Sequence, residues 1–204
     1  MASLANSGFT RFHNASSAAE RRALWVGKRN TAPSREMIPF ELSWLSPIFG
    51  HPTEVAGRYE KYGNLPGETE DTWSLSMRLA GGGVGQLAIT MSCPVDFRRG
   101  CCFGTGAAIT WDIYGGDLTV QTPADKVPRR SNHGAIGDVL EKMYHEEINS
   151  YVDAALGRTT WIQPYALSQR STAAMAAAEQ SFLTDRWVRV DPNAEPAPVL
   201  PVKA

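Results

Sequence analysis

The sequence predicts an α+β fold: an open, mostly antiparallel sheet with helices packed on one face. Three observations predict it. From Thr72 to Leu79, Trp73, Leu75, Met77 and Leu79 alternate with Thr72, Ser74, Ser76 and Arg78, and after a glycine-rich break Leu87, Ile89 and Met91 alternate with Gln86, Ala88, Thr90 and Ser92. A period of two on both arms marks two strands with one buried face. Further short strand-like runs follow, separated by Gly104-Thr105-Gly106 and Gly115-Gly116. Two long stretches of helical period come only after them, so strands and helices are segregated along the chain.

Taken in order, residues 1–20 are small and polar and are expected to be a flexible start. Ala23 to Arg29 reads as a strand, and Asn30 to Arg35 as a loop. Met37 to Gly50 is dense in apolar groups and reads as a helix, with Pro39 in its first turn, Pro47 bending its end and Gly50 closing it. Glu54 to Tyr62 alternates as a strand, and Asn64 to Asp71 is an acidic connector.

Then comes the hairpin. Its turn, Gly81-Gly82-Gly83-Val84-Gly85, supplies positive φ at no steric cost. The same glycines do not make a dinucleotide loop, which must open a helix whose N-terminus holds the pyrophosphate. Here another strand follows. Phe97–Phe103, Ala107–Asp112 and Asp117–Thr122 read as strands, and Pro123–His133 as a loop. A helix is expected from Ile136 to Leu156, with one apolar stripe that contains a single carboxylate, Glu147, read as buried with a partner. A second helix, rich in alanine, runs from Tyr165 to Thr184, and Trp187–Val190 closes the sheet. Residues 191–204 hold four prolines and are expected to be a disordered tail. The domain thus spans residues 21–190. The outward face of the hairpin carries Ser, Thr, Gln and Ala with one charge, which suits a subunit contact or a bland solvated surface.

Composition narrows the function. The 204 residues carry a formal net charge of −1, which supplies no electrostatic footprint for nucleic acid or an anionic membrane. No apolar run reaches the ~20 residues of a membrane span. Met1 to Gly8 has no basic region leading into an apolar one, so no secretory signal is read and a cytoplasmic location is expected. Three cysteines, two of them adjacent, do not form a disulfide framework, and no fourth ligand stands at zinc spacing. No metal site is expected.

Several motifs together resemble the C-terminal domain of the Gfo/Idh/MocA family of NAD(P)-dependent sugar oxidoreductases. They are Met37 to Leu45 with Phe49-Gly50 and Pro52, the strands from Asp71 to Gly116, and the end pattern. That last pattern runs Tyr144-x-x-Glu147-x-x-x-Tyr151-x-x-Ala154-x-x-Gly157, Tyr165-Ala166, Ala178-x-x-Ser181 and Val188-x-Val190. The match covers about residues 23–190. The resemblance implies a substrate-facing and oligomer-forming domain, with homo-oligomers made through the open sheet face, a Rossmann-domain partner and a sugar-like ligand. The family's glycine fingerprint and its Glu-Lys-Pro lysine are both absent, so no cofactor-binding residue is expected in this chain, and NAD or NADP belongs to the full-length family. Many members place Asp-x-x-x-His on the first helix of this domain; here those positions fall at Glu36 and Phe40. Phe40 moves no proton, so no catalytic residue is assigned.

Three residues are candidate substrate contacts. Arg35 and Glu36 stand at a helix N-terminus, as ligand contacts or as a carboxylate favoured by the helix dipole. Glu41 lies in an apolar stretch and is either functional or paired with an arginine. His145 is expected on a solvated helix face, and His13, His51 and His133 in loops. Cys101 and Cys102 lack an activating neighbour, and the family resemblance implies a packing position, not a nucleophile, at Ser181. Two functions fit this inventory. One is the substrate-side portion of a sugar oxidoreductase, inactive alone. The other is a non-catalytic, dimerising carbohydrate-binding or assembly module, or a truncated gene product.

Overall fold

The computed structural model describes residues 33–63 and 69–193. The strand expected at residues 23–29, the start at 1–20, most of the connector at 64–71 and the tail beyond residue 193 lie outside them. Among the described residues there are three helices and two four-stranded antiparallel sheets.

Helix α1 (Pro33–Phe49) begins a turn earlier than its apolar run suggests. Pro33 occupies the first position, where a missing N–H costs nothing. The early turn is pinned from outside. The Ser34 hydroxyl, fully buried, donates to the Glu70 carbonyl at 2.8 Å, and Arg35 reaches across to Glu179. These contacts hold the helix through Pro39, which removes one internal hydrogen bond. Gly50, at φ +90°, ends the helix and donates its N–H to the Ser46 carbonyl.

The first sheet has the order β3-β2-β1-β8, from β1 (Pro52–Glu60), β2 (Thr72–Leu79), β3 (Val84–Thr90) and β8 (Val188–Arg189). The hairpin pairs Trp73 with Ile89 and Leu75 with Leu87, and the apolar set of both arms is buried, Leu79 only partly. Gly81 and Gly82, at φ +97° and +92°, make the turn, and a strand follows them. Helix α1 and the last helix, α3 (Tyr165–Thr184), cover one face of this sheet and share one core with it. Small residues on α3 allow close approach. A Cβ on Gly57 would stand 2.8 Å from the Ala178 Cβ, so the glycine lets β1 touch the helix. Ser181 seals that contact: its hydroxyl accepts the Gly57 N–H at 3.0 Å and donates to the Arg186 carbonyl. Ser181 is therefore a packing and bridging residue.

The second sheet has the order β4-β5-β6-β7, from β4 (Arg99–Phe103), β5 (Ala108–Asp112), β6 (Asp117–Gln121) and β7 (Arg129–Asn132). Strand β7 corrects the loop expected there. Its residues are all exposed and show no alternation, so the pairing comes from the backbone edge of β6 and from Asn132, whose amide donates to the Gly115 carbonyl and Asp117. Register places Cys102, Ile109, Trp111, Leu118 and Val120 on one face, and Arg99, Asp112, Thr110, Thr119 and Asp117 on the other. Cys101 and Cys102 face opposite ways and are both half-buried.

Helix α2 (Ile136–Ala155) has its expected bounds but not its expected burial. None of its residues is buried, and Glu147 is exposed. No other helix or strand packs extensively against it among the described residues, and Tyr151 meets the Trp161 ring edge-on at 5.5 Å. His145 is exposed, 3.8 Å from Glu141.

Candidate functional site

The site is built where α1 meets the start of the second sheet. Helix geometry turns successive residues by 100°, so Arg35, Glu36 and Glu41 leave α1 in three directions. Arg35 points at α3 and forms a bidentate pair with the fully buried Glu179, at 2.8 and 3.2 Å. Glu36 is exposed in the first turn. Glu41 turns inward, with a side chain 0% exposed.

Glu41 is held by two partners. The Arg98 Nε lies 2.9 Å from its Oε1, and the Arg98 Nη2 donates to Oε2 at 3.2 Å. The Trp44 indole N–H donates to the same Oε2 at 2.8 Å. A carboxylate this deep needs both a countercharge and hydrogen bonds; Arg98 supplies the first and both hydrogen bonds fall on Oε2, while Oε1 faces the Arg98 Nε at 2.9 Å without a hydrogen bond. Sequence alone offered an arginine as one partner type but not which one. Arg98 immediately precedes β4, and only the chain's return past α1 brings it 57 positions back to Glu41.

Around this pair stands an aromatic wall. The Arg98 guanidinium lies 5.2 Å above the Phe40 ring and 6.0 Å from that of Trp44, within cation–π reach. Trp111 of β5 meets Trp44 edge-on at 5.9 Å and stacks on Phe49 at 6.0 Å. Phe40 is 53% exposed and Arg98 17%, so the cluster opens to solvent on the Phe40 side. Glu36 lies one turn before Phe40 and therefore beside it.

Tyr114, which follows β5, is within electrostatic reach of Glu41 and Arg98. Its phenol is pushed above its ordinary pKa, chiefly by burial and then by Asp96, with Glu41 adding to the rise and Arg98 opposing it. Tyr114 thus keeps its proton and is a hydrogen-bond donor. Asp112 fixes the turn that carries it. Burial pushes the Asp112 carboxyl up, but the Gly115 and Tyr114 N–H groups and the Arg99 guanidinium outweigh burial and hold it below the ordinary value. Sequence reading did not single out Arg98, Trp111 or Tyr114. The signal available was the run Trp111-Asp112-Ile113-Tyr114 at the end of a strand, where loops commonly carry function. Among the described residues no cluster of three or more metal-ligating side chains occurs. No helix in them is long and apolar enough to cross a membrane.

No protein-family model matches the sequence, and no curated protein matches it significantly. Solved structures do share its fold. Levoglucosan dehydrogenase in complex with NADH superposes with a TM-score of 0.77 at 13% identity, over 92% of this chain and 57% of that one. An oxidoreductase from Agrobacterium radiobacter, in complex with NAD+, L-tartaric acid and magnesium, gives 0.70 at 15% identity, over 92% and 55%. An oxidoreductase domain protein from Kribbella flavida gives 0.64 at 14%, over 78% and 49%. The chain has the fold of one part of these oxidoreductases. It spans about half of their length, and a shared fold leaves function to be argued from the site.

Proposed function

We propose that the chain is the substrate-side portion of an NAD(P)-dependent oxidoreductase acting on a sugar or sugar-like alcohol, in the manner of the Gfo/Idh/MocA family. On this reading it is not catalytic alone and works with a cofactor-binding α/β domain. The observation that carries the reading is the Glu41–Arg98–Phe40 cluster, opening at the edge of α1 in a fold shared with a sugar dehydrogenase. Levoglucosan dehydrogenase is solved with levoglucosan and with L-sorbose, which sets the ligand class to try first.

The three candidate residues take different parts in this proposal. Glu36 is the open side chain and contacts the ligand's hydroxyls. Glu41 positions Arg98, and Arg35 fixes the helix that presents both. Phe40 offers an apolar ring face, and Tyr114 a neutral donor. Few polar groups on an aromatic surface is the usual make-up of a small-molecule site. Because Glu41 offsets the charge of Arg98, and Asp96 and Glu36 add negative charge, the site disfavours an anion and accommodates a neutral sugar. NAD or NADP would come with the cofactor domain. Self-association through the open face of the first sheet belongs to the same proposal.

One observation favours a second reading. Phe40 stands where the family resemblance calls for histidine, so no side chain at that place moves the alcohol's proton. A non-catalytic carbohydrate-binding module accommodates this directly. Titration of the full chain with levoglucosan, followed by tryptophan fluorescence, tests both readings. Trp44 and Trp111 border the cluster, so saturable quenching that is lost in Phe40→Ala is expected. No response to levoglucosan or L-sorbose would count against a sugar site of either kind.

A further inference from the structure

Three arginines are half-buried among the described residues: Arg35, Arg98 and Arg170. Arg35 and Arg98 each meet a glutamate whose side chain is 0% exposed. Arg170 of α3 meets no carboxylate among the described residues. It faces His51 instead, with its Nη1 3.1 Å from Nδ1 and 3.0 Å from Nε2. A point so nearly equidistant from both ring nitrogens lies along neither in-plane lone pair, so the guanidinium is aimed well at neither. Two groups that can each carry a positive charge thus stand side by side without an acid of this chain to pair them. Both are held firmly. Gly50, at φ +90°, turns the chain into His51, and the Ala80 N–H donates to the His51 carbonyl at 2.8 Å. Beside Arg170, the buried Ser171 donates its hydroxyl to the Leu167 carbonyl within α3.

We propose that Arg170 and His51 form a binding site for a doubly charged tetrahedral oxyanion, a phosphate or sulfate group. The guanidinium donates through a planar fork that matches two oxygens of such a group. A protonated imidazole adds a second donor and a second charge, so the pair matches a dianion. The anion reverses the local balance of charge. Burial and Arg170 both disfavour a protonated His51, and an oxyanion bridging the two groups favours it. No ion pair joins His51 to a carboxylate of α1, β1 or β2 among the described residues, so Arg170 on α3 is the charged group that faces its ring. Binding is therefore expected to tighten as the pH falls through the titration of His51. His51 lies past the C-terminal end of α1, whereas the sugar cluster is built around Glu36, Phe40 and Glu41. The site is separate from that cluster and does not depend on the sugar reading.

Proton NMR of the His51 ring in the full chain, with its signal identified by loss in His51→Gln, tests the proposal. Sodium sulfate keeps its charge across the range and is titrated above and below pH 6.5, against sodium chloride at matched ionic strength. A saturable shift of the His51 signal is expected with sulfate, tighter at the lower pH, and none with chloride. Inorganic phosphate and glucose 6-phosphate are expected to give the same shift. Tighter binding of the sugar phosphate would show that the group arrives on a sugar, and equal binding that the free ion is the ligand. Arg170→Gln is expected to weaken sulfate binding about tenfold or more. Arg170→Lys keeps the charge without the fork and is expected to weaken it less. Far-UV circular dichroism checks that each variant is folded, and the contrast of sulfate with chloride in the wild type stands without either variant. Equal shifts in sulfate and chloride would mean screening alone and would overturn the proposal. A sulfate response that does not saturate, an adventitious ion only, would overturn it too, as would an affinity unchanged in folded Arg170→Gln.

Discussion

Replacing Arg98 with methionine tests whether the Glu41 cluster is a desolvated ion pair or a surface contact. Methionine keeps most of the stem's volume over Phe40 and Trp44 but removes the guanidinium. The Glu41 carboxylate, 0% exposed, would then keep only the 2.8 Å hydrogen bond from Trp44. Breaking one side of a buried pair costs about 3–5 kcal/mol. Arg98 is 17% exposed, so water partly compensates and the lower end applies, about 3 kcal/mol. For a chain of this size that is a fall in Tm of roughly 6–12 °C. Glu41→Gln is milder, about 1–2 kcal/mol, because the amide oxygen still accepts from Trp44 and the freed guanidinium lies at the open edge. The double variant Glu41→Gln/Arg98→Met is expected to cost less than the sum of the two single changes, by about 2 kcal/mol. Thermal unfolding read by tryptophan fluorescence measures all three. An Arg98→Met cost under about 1 kcal/mol, the range of exposed pairs, or strictly additive single changes, would refute the reasoning.

Other expectations follow from the same geometry. Gly57→Ala pushes a methyl into Ala178 and is expected to destabilise by about 1–3 kcal/mol in chemical denaturation. Ser181→Ala leaves the buried Gly57 N–H without its acceptor and is expected to cost a similar amount, about 1–3 kcal/mol. His51 has its pKa lowered below 6.5 by burial and then by Arg170, whose Nη1 lies 3.0 Å from its Nε2. The unfolded chain therefore takes up this proton first. The contribution of neutral His51 to stability is complete above pH 6.5 and is lost as the pH falls through the folded value. Denaturation midpoints measured just below pH 6.5 are expected to fall with pH in the wild type and less in His51→Gln.

The hairpin was legible in the sequence because one face is buried and the other is not, so Trp73, Leu75, Leu87 and Ile89 write a clean alternation. Helix α3 was legible for its length and its run of small residues. Strand β7 was not, because Arg129–Asn132 pairs by its backbone and its side chains are all in water. The division into two sheets was also hidden, since pairing order depends on contacts between strands distant in sequence. At the site, Glu41 stood out as a charge among apolar residues, and its burial explains why. Arg98 did not stand out, because a lone arginine before a strand looks like any other until the fold carries it to Glu41. Helix α2 misled on burial: an amphipathic pattern records that a face is meant to be covered, not that this chain's own core covers it.

The measurement that bears most directly on the substrate-side assignment is a fluorescence titration of the full chain with NADH and NADPH. Gly81–Gly83 turns between two strands and opens no helix, so the account predicts no saturable binding of either cofactor into the millimolar range. Micromolar binding of either one would contradict it and place a nucleotide site within this chain.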